Sequence, residues 1–212
     1  MNTSTVNARL LKPKNNTEKT YELLLMLDSE TVNHSFRVGD LAAEIFAEYA
    51  KGRELGLDYG PDVIRFAGLL HDVGKLRVPA TLLSRPGRLN DGELALVRRH
   101  PIYASKVLDD YLKRADPVLK RVVLEVAAAH HERIDGSGYP RGLSGDAISL
   151  AAQTVGLANC YDSLISVRTY RTAKTKAEAL KAIRGGACGG FDKELVDCLA
   201  ALVTDRDGKG SR

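Results

Sequence analysis

Hydrophobic residues recur along most of the chain at intervals of three and four positions, which is the period of an amphipathic α-helix. The first of these stripes contains Leu27, Glu30, His34, Val38, Leu41 and Ile45. Two potential metal ligands therefore stand on an otherwise apolar helical face. No segment alternates polar and apolar residues as a half-buried strand does, so the pattern predicts an all-α protein.

Local start and stop signals divide the pattern into helices. One helix is predicted to begin at Pro61 and to end where Gly74 interrupts it, because proline favours the first helical turn. Asn90 and Glu93 resemble a capping box for a helix that carries His100 and bends at Pro101. Further helices are predicted from Pro117 through Glu132, from Ser149 through Ser166, after Thr175 with Glu178 as its capping partner, and from Phe191 to Leu202.

The predicted architecture is a single all-α domain of six to nine helices over residues 19–204, with flexible ends at 1–18 and 205–212. One segment, 133–146, is rich in glycine and contains Pro140, so it is predicted to be a long loop. We call it the glycine-rich loop. Long loops inside compact domains are often functional, which makes this segment a candidate for binding.

The composition is that of an ordinary globular protein, with 44% hydrophobic and 27% charged residues. A net charge of +4 is too small to predict nucleic-acid binding, although it is compatible with a small anionic ligand. No apolar run is long enough for a membrane span, and the N-terminal segment lacks the apolar region of a secretory signal. The three cysteines, Cys160, Cys188 and Cys198, argue against a disulfide framework and favour a reducing compartment, so the predicted location is the cytoplasm.

All five histidines lie on or at the end of a predicted apolar stripe, at positions 34, 71, 100, 130 and 131. One buried histidine is usually satisfied by an ordinary hydrogen bond. Five in one small domain are costly unless they share a compensating ion, and Glu30 and Asp72 add anionic ligands nearby. We therefore predict a shared metal centre, and imidazole mixed with carboxylate suits iron, manganese, zinc or nickel better than calcium or magnesium.

Four segments carry a family resemblance: HDVGKLRVP at 71–79, RHP at 99–101, HHERIDGSGYPRGLSG at 130–145 and RTYR at 168–171. Together they resemble the HD-GYP subgroup of the HD metal-dependent phosphohydrolases, over roughly residues 30–200. The resemblance implies an all-α HD-domain bundle that holds two or three divalent transition-metal ions, with iron or manganese foremost. It also implies hydrolysis of cyclic di-GMP to linear pGpG, and often on to GMP, by attack of a metal-activated hydroxide.

Transferred residue by residue, the resemblance implies metal ligation by Glu30, His34, His71, Asp72, His100, His130, His131 and Asn159. Asn159 departs from the family pattern, which has an aspartate at this position, and a neutral amide oxygen is the weaker donor. Two interpretations stay open: Asn159 only hydrogen-bonds in the core, or it impairs or retunes the enzyme. Asp162, one turn later, is expected to have a structural role.

The resemblance further implies catalytic roles for Asp72 and Lys75, and substrate binding by Gly138, Tyr139, Pro140, Arg168 and Arg171. Lys75 would contact the scissile phosphate, whereas Arg168 and Arg171 would form a cationic wall for the second phosphate or a guanine edge. Without the resemblance, Lys75 is simply a favourable helix end, Tyr139 a packed turn residue, and the two arginines a solvated helix end.

Three functions remain at this point. The leading one is a metal-dependent cyclic di-GMP phosphodiesterase, and the second is a sensor or protein-interaction module that binds metal and cyclic di-GMP with little turnover because of Asn159. The third is hydrolysis of another nucleotide, since HD proteins use one kind of metal centre for many substrates. The family also suggests a diguanylate cyclase as a partner at the glycine-rich loop, and a regulatory domain ahead of the catalytic one.

Overall fold

The computed structural model describes residues 22–85, 87–167 and 172–208, with side chains described as far as residue 204. Within these ranges the α-helices are α1 (Ser29–Ala50), α2 (Pro61–Leu70), α3 (Ala80–Leu83), α4 (Asp91–Val97), α5 (His100–Tyr111), α6 (Pro117–Ala129), α7 (Leu150–Ile165), α8 (Lys176–Arg184) and α9 (Lys193–Gly208). Short 3₁₀ helices occupy Val73–Arg77 and Gly145–Ala147. The described residues contain two isolated β-bridges and no strand, so the predicted all-α class is confirmed.

Most predicted helix starts are confirmed by their caps. The side chain of Asn90 accepts a hydrogen bond from the Glu93 N–H, and the Glu93 carboxylate accepts one from the Asn90 N–H, which is the predicted capping box. Thr175 and Glu178 form a second capping box at α8. These caps satisfy N–H groups that the first helical turn would otherwise leave unpaired.

The predicted helix over α4 and α5 is wrong in one respect. It is broken between Val97 and His100, rather than bent at Pro101. Pro101 lies in the first turn of α5, where its missing N–H costs no helical hydrogen bond. The break places His100 at the start of a helix rather than in its middle. At the other end of the chain, α9 continues to Gly208, four residues into the predicted tail.

The core is formed by helices α1, α2, α6 and α7, with α9 packed against α1 and α8 against α7. Fully buried side chains include Ile45, Ile64, Leu70, Val126 and Val155. Twelve of the sixteen residues of α7 are buried, so this helix is enclosed by its neighbours on nearly every side. Polar residues of α7 consequently face other helices, and they need partners there.

Helices α1 and α2 approach each other most closely at two glycines. A Cβ atom added to Gly68 would lie 2.7 Å from the Cα of Gly39, and one added to Gly39 would lie 2.8 Å from the Arg65 carbonyl oxygen. Any larger residue at either position would push the helices apart. This contact brings His34, five residues before Gly39, near His71, three residues after Gly68, with 5.3 Å between the ring centroids.

The expectation about cysteines is wrong: a disulfide joins Cys160 of α7 to Cys188, which lies in the turn between α8 and α9. Cys198 is free. The two bonded residues are 28 positions apart on different elements, so spacing alone could not reveal the pair. The odd cysteine count therefore no longer supports a reducing compartment. Among the described residues, no helix combines the length and the apolar character that a membrane span requires.

Candidate metal centre

Five histidines and one aspartate converge from four helices. His34 is on α1, His71 and Asp72 follow the end of α2, His100 opens α5, and His130 and His131 follow the end of α6. Their candidate ligand atoms form two groups, each within 4.8 Å: Asp72 with His100, His130 and His131, and Asp72 with His34 and His71. Asp72 belongs to both groups, so its carboxylate would be a candidate ligand in each of them.

The distances show how Asp72 connects the groups. Its Oδ1 lies 3.2 Å from His100 Nε2 and 3.9 Å from His130 Nε2, whereas its Oδ2 lies 3.3 Å from His71 Nε2. Asp72 Oδ1 and His71 Nε2 are buried without a hydrogen-bond partner. Orphaned buried polar atoms are costly, and a cation between them would satisfy both. Imidazole and carboxylate donors are compatible with a divalent metal and do not identify which one.

Backbone carbonyls orient three of the imidazoles through Nδ1. These hydrogen bonds are His71 to the Gly68 oxygen (2.6 Å), His100 to the Val97 oxygen (2.9 Å) and His130 to the Val126 oxygen (3.1 Å). Because a carbonyl can only accept, Nδ1 carries the proton in each case. The lone pair of Nε2 is thereby directed toward the centre, as metal ligation requires.

His34 is oriented by a carboxylate instead. Its Nδ1 lies 2.7 Å from Asp162 Oδ2, and Arg37 donates to Asp162 Oδ1 from Nε (2.6 Å) and to Oδ2 from Nη2 (2.9 Å). Burial opposes the charge on Asp162, but His34 and Arg37 outweigh it and lower its pKa to about 2. Asp162 is thus an ionised outer partner of His34, which agrees with its expected structural role.

Burial sets the protonation state of the cluster. Desolvation lowers the pKa of His100 to about 4 and lowers the pKa values of His130 and His131 well below their usual range. Burial opposes the charge of Asp72, yet Lys75 and His71 outweigh it and hold the Asp72 pKa well below its usual value. At neutral pH His100, His130 and His131 are therefore neutral and Asp72 is ionised, which are the protonation states in which these groups are metal ligands.

A cavity of about 390 Å³ opens beside the cluster. It is lined by His34, Asp72, Lys75, Val97, His100, His131, Arg133, Tyr139, Asn159, Cys160, Ser163 and Cys188. Lys75 reaches into it and donates a hydrogen bond to Asp72 Oδ2 over 2.6 Å. The cavity has a size typical of small-molecule sites. The ammonium group of Lys75 places a positive charge in it, beside the candidate metal ligands.

The glycine-rich loop forms another wall of this cavity. Glu132 is buried, and its two carboxylate oxygens accept the backbone N–H groups of Arg141 (2.8 Å) and Leu143 (2.9 Å). The ring of Tyr139 stacks on His131 with 4.4 Å between centroids and 17° between planes. On this ring, the Arg98 guanidinium lies 5.3 Å from the centroid. The loop therefore contacts the histidine cluster directly.

Not every predicted site residue joins the cluster. Glu30 is exposed on α1 and belongs to neither ligand group. Asn159 lines the cavity together with His34 and Asp72. Arg168 and Arg171 lie outside the described residues. The sequence analysis missed Glu132 and Arg133, although both directly follow the His130–His131 pair, and a charged pair adjoining two histidines was a usable signal.

Comparison with known proteins yields one family and several relatives. The model of the HD domain matches residues 20–195. The chain is 34% identical over 171 residues to a 3'3'-cGAMP-specific phosphodiesterase of Vibrio cholerae, covering 80% of this chain and 37% of the relative. It is 44% identical over 137 residues to a cyclic di-GMP phosphodiesterase of Pseudomonas aeruginosa, covering 65% of this chain and 32% of that protein. The chain thus spans about a third of the length of these curated relatives.

The solved structures agree with this result. An HDG"Y"P protein from Bdellovibrio bacteriovorus superimposes with a TM-score of 0.63 at 25% sequence identity, over 82% of this chain and 52% of the neighbour. Its fold is that of the helical bundle described above. With a family model covering most of its residues, a matching fold and the adjacent His71 and Asp72 in the histidine cluster, the chain belongs to the HD domain family.

Proposed function

We propose that this chain is a metal-dependent phosphodiesterase of the HD-GYP type that hydrolyses cyclic di-GMP to linear pGpG and onward to GMP. The observation that carries the proposal is the position of Asp72, whose carboxylate is shared by two groups of histidine ligands in the wall of one cavity. The names of the relatives, phosphodiesterases for cyclic di-GMP and 3'3'-cGAMP, support the substrate class.

The proposed ligands are Asp72, His34, His71, His100, His130 and His131, with Asn159 as a further candidate. Glu30, which is exposed and outside both ligand groups, is proposed on the family resemblance alone. When bound to such ligands, divalent ions lower the pKa of water and neutralise charge on phosphate oxygens. Iron and manganese are proposed first, and zinc or nickel also fits the donor set. Asp162 and the helix carbonyls would keep the imidazoles in the required tautomer.

Lys75 is the proposed electrostatic contact to the scissile phosphate. Its ammonium group is within hydrogen-bond distance of Asp72. A phosphate bound in the cavity next to the metal ligands would therefore lie beside a positive charge. Tyr139 presents its ring at the same cavity, stacked on His131, and Gly138 and Pro140 flank it in the chain as further proposed substrate-binding residues. We propose that Tyr139 stacks against a nucleobase, and that Arg168 and Arg171 contact the second phosphate or a guanine edge.

Asn159 supports a second candidate function. An amide at the cavity wall, where the family usually has a carboxylate, favours a module that holds metal and cyclic di-GMP with little turnover. A diguanylate cyclase is the proposed partner of such a module, with the glycine-rich loop as the contact surface. In this case binding would be retained although hydrolysis is slow.

Both candidates are tested by one pair of measurements on protein loaded anaerobically with iron or manganese. Time courses of cyclic di-GMP hydrolysis are compared with equilibrium binding of the same dinucleotide. Turnover that yields pGpG supports the phosphodiesterase, and binding without turnover supports the sensor. If cyclic di-GMP is neither bound nor hydrolysed and another nucleotide is hydrolysed instead, both candidate functions are contradicted.

A further inference from the structure

The Cys160–Cys188 disulfide lies in the wall of the cavity that contains the histidine cluster. Both cysteines line this cavity, together with His34, Asp72 and Asn159. The third cysteine, Cys198, is free and does not line it. The oxidised pair therefore adjoins the proposed catalytic centre, and neither the metal ligands nor the substrate contacts proposed above make use of it.

The bond connects two parts of the site that have no other covalent link nearby. Cys160 follows Asn159 on α7 and precedes Asp162, the partner of His34, by two positions. Cys188 lies in the turn between α8 and α9, which we call the 187–190 turn. Its sulfur is thus held against the helix that orients His34.

The 187–190 turn in turn holds the start of the glycine-rich loop. The Cys188 carbonyl accepts a hydrogen bond from Arg133 Nε over 2.5 Å, and the Gly190 carbonyl accepts one from the Ile134 N–H over 3.1 Å. The Gly190 N–H donates to Asp135 Oδ2 over 2.7 Å. Every one of these contacts would respond to a displacement of the turn.

Arg133 extends this connection to the histidines. The side chain is buried, and its Nη1 donates to the carbonyl oxygens of His130 (3.0 Å) and Glu132 (2.6 Å). No carboxylate forms an ion pair with this guanidinium among the described residues. Its position depends on the Phe191 ring, whose centroid lies 4.5 Å from Cζ, and on carbonyls, one of which belongs to Cys188. A continuous series of bonds therefore runs from the disulfide to the backbone of His130.

We propose that Cys160 and Cys188 form a reversible redox-modification site, whose reduction by a dithiol releases the 187–190 turn and loosens the glycine-rich loop. One thiolate of the dithiol attacks the sulfur of Cys188, which is the more exposed of the two, and Cys160 leaves as a thiolate. The second thiol of the reductant then displaces Cys188. Two electrons and two protons pass to the cysteine pair, and the dithiol becomes a disulfide.

The location of the disulfide favours a role in redox modification over a purely structural role. Disulfides that occur in thiol-reducing compartments are mostly catalytic or redox-sensing, and accessible ones are the more easily reduced. Cys160 is 5% exposed, whereas Cys188 is half-buried at the cavity, so reductant has access to one sulfur without unfolding of the core. The inference does not depend on the proposed hydrolysis, because its tests need no substrate.

The first test counts reactive thiols in the native protein by alkylation and intact mass. Protein purified without reductant is expected to show one reactive thiol, Cys198, and native protein treated with dithiothreitol is expected to show three. The Cys198→Ser variant serves as the matched control. It should show no reactive thiol without dithiothreitol and two after treatment with it. Three thiols without reductant, or a bond that dithiothreitol breaks only in denaturant, would overturn the proposal.

The second test measures hydrogen exchange with and without dithiothreitol. Exchange of peptides covering 133–143 and 187–190 should become roughly tenfold faster on reduction, while peptides of α1 and α2 stay unchanged. The Cys188→Ser variant, which leaves Cys160 buried, should show the fast pattern and no response to reductant. Equal exchange in both redox states of the wild-type protein would overturn the coupling to the loop.

Discussion

The histidine cluster and the glycine-rich loop border the same cavity, but they are held in place by different means. All the histidines except His34 lie at helix ends, and His71, His100 and His130 are each fixed by a backbone carbonyl three or four residues earlier in the chain. The loop depends on hydrogen bonds that the Glu132 carboxylate accepts from N–H groups of the loop itself, and on one that Arg133 donates to the distant Cys188 carbonyl. The cluster is therefore as rigid as the helix packing, whereas the loop depends on a few polar contacts and one disulfide.

This difference separates two kinds of contribution to a metal-dependent hydrolase. The cluster needs fixed distances, because a cation tolerates little variation in its ligands. The loop needs to admit and release a ligand, and elements that move for binding belong to the less stable parts of a protein. Changes in the cluster should therefore alter metal content, and changes in the loop should alter ligand affinity.

The largest effect is expected from Asp72→Asn, which removes the charge shared by both ligand groups. Metal content should fall at both groups, and hydrolysis should fall at least about 100-fold, since even an outer partner of a ligand commonly accounts for 10- to 100-fold. Elemental analysis and steady-state rates measure the two effects. Asp197→Asn, which breaks only surface ion pairs, is the control. Full metal content in Asp72→Asn would contradict the shared site.

Acid should weaken the metal-free protein through the cluster before it affects the loop. His100 has a pKa of about 4 in the folded protein and 6.5 when unfolded, so only the unfolded state gains this proton as the pH falls from 6.5 to 4. Stability is complete above pH 6.5 and decreases across that window, by about 3 kcal/mol for this histidine alone. The carboxylate of Asp135 has a pKa lowered by its bonds to Ser137, and its contribution is lost only below about pH 3.8.

Urea unfolding of chelator-treated protein at a series of pH values measures this window. A free energy of unfolding that is constant from pH 7 to pH 4.5 would mean that the histidines are accessible to protons in the folded state. The histidine cluster would then be more accessible to solvent than its burial between the helices implies.

A smaller effect is expected from Gly138→Ala in the loop. The added Cβ would lie 2.5 Å from the backbone of His131, Glu132 and Arg133, so the loop must shift, at a cost of about 2 kcal/mol. Metal content should be unchanged, while the Kd for cyclic di-GMP rises. Gly92→Ala, where a Cβ meets only the Asn90 side chain at 3.5 Å, should leave both quantities unaltered. Loss of metal in Gly138→Ala would remove the distinction between the two regions.

The smallest change is expected from Asn159→Asp, at the boundary between cluster and loop. A carboxylate beside His34 and Asp72 should raise the metal content by up to one ion per chain and increase hydrolysis modestly. The metal-to-protein ratio and the rate are measured on the same preparation. If neither changes, Asn159 does not explain any weakness of the activity.

The sequence predicts those features that depend on neighbouring residues. Both capping boxes were identified, because their donors and acceptors are three residues apart. The break before His100 was not predicted, because the sequence alone does not distinguish a proline in the first turn of a helix from one that bends a helix. The convergence of the histidines followed from their place on apolar stripes together with the family resemblance. The Cys160–Cys188 bond and the contacts of Glu132 depend on the tertiary fold, and no periodicity encodes them.

The crossing of α1 and α2 at Gly39 and Gly68 has a consequence for how the histidine cluster tolerates mutation. Neither residue carries a functional group, yet two bare backbones in contact determine how far apart His34 and His71 stand. A single methyl group at this crossing would act as a spacer and widen the gap between two donors several residues away. Positions without any reactive atom thus control the spacing of the candidate ligands. A search for loss-of-function substitutions should therefore include Gly39 and Gly68 as well as the histidines.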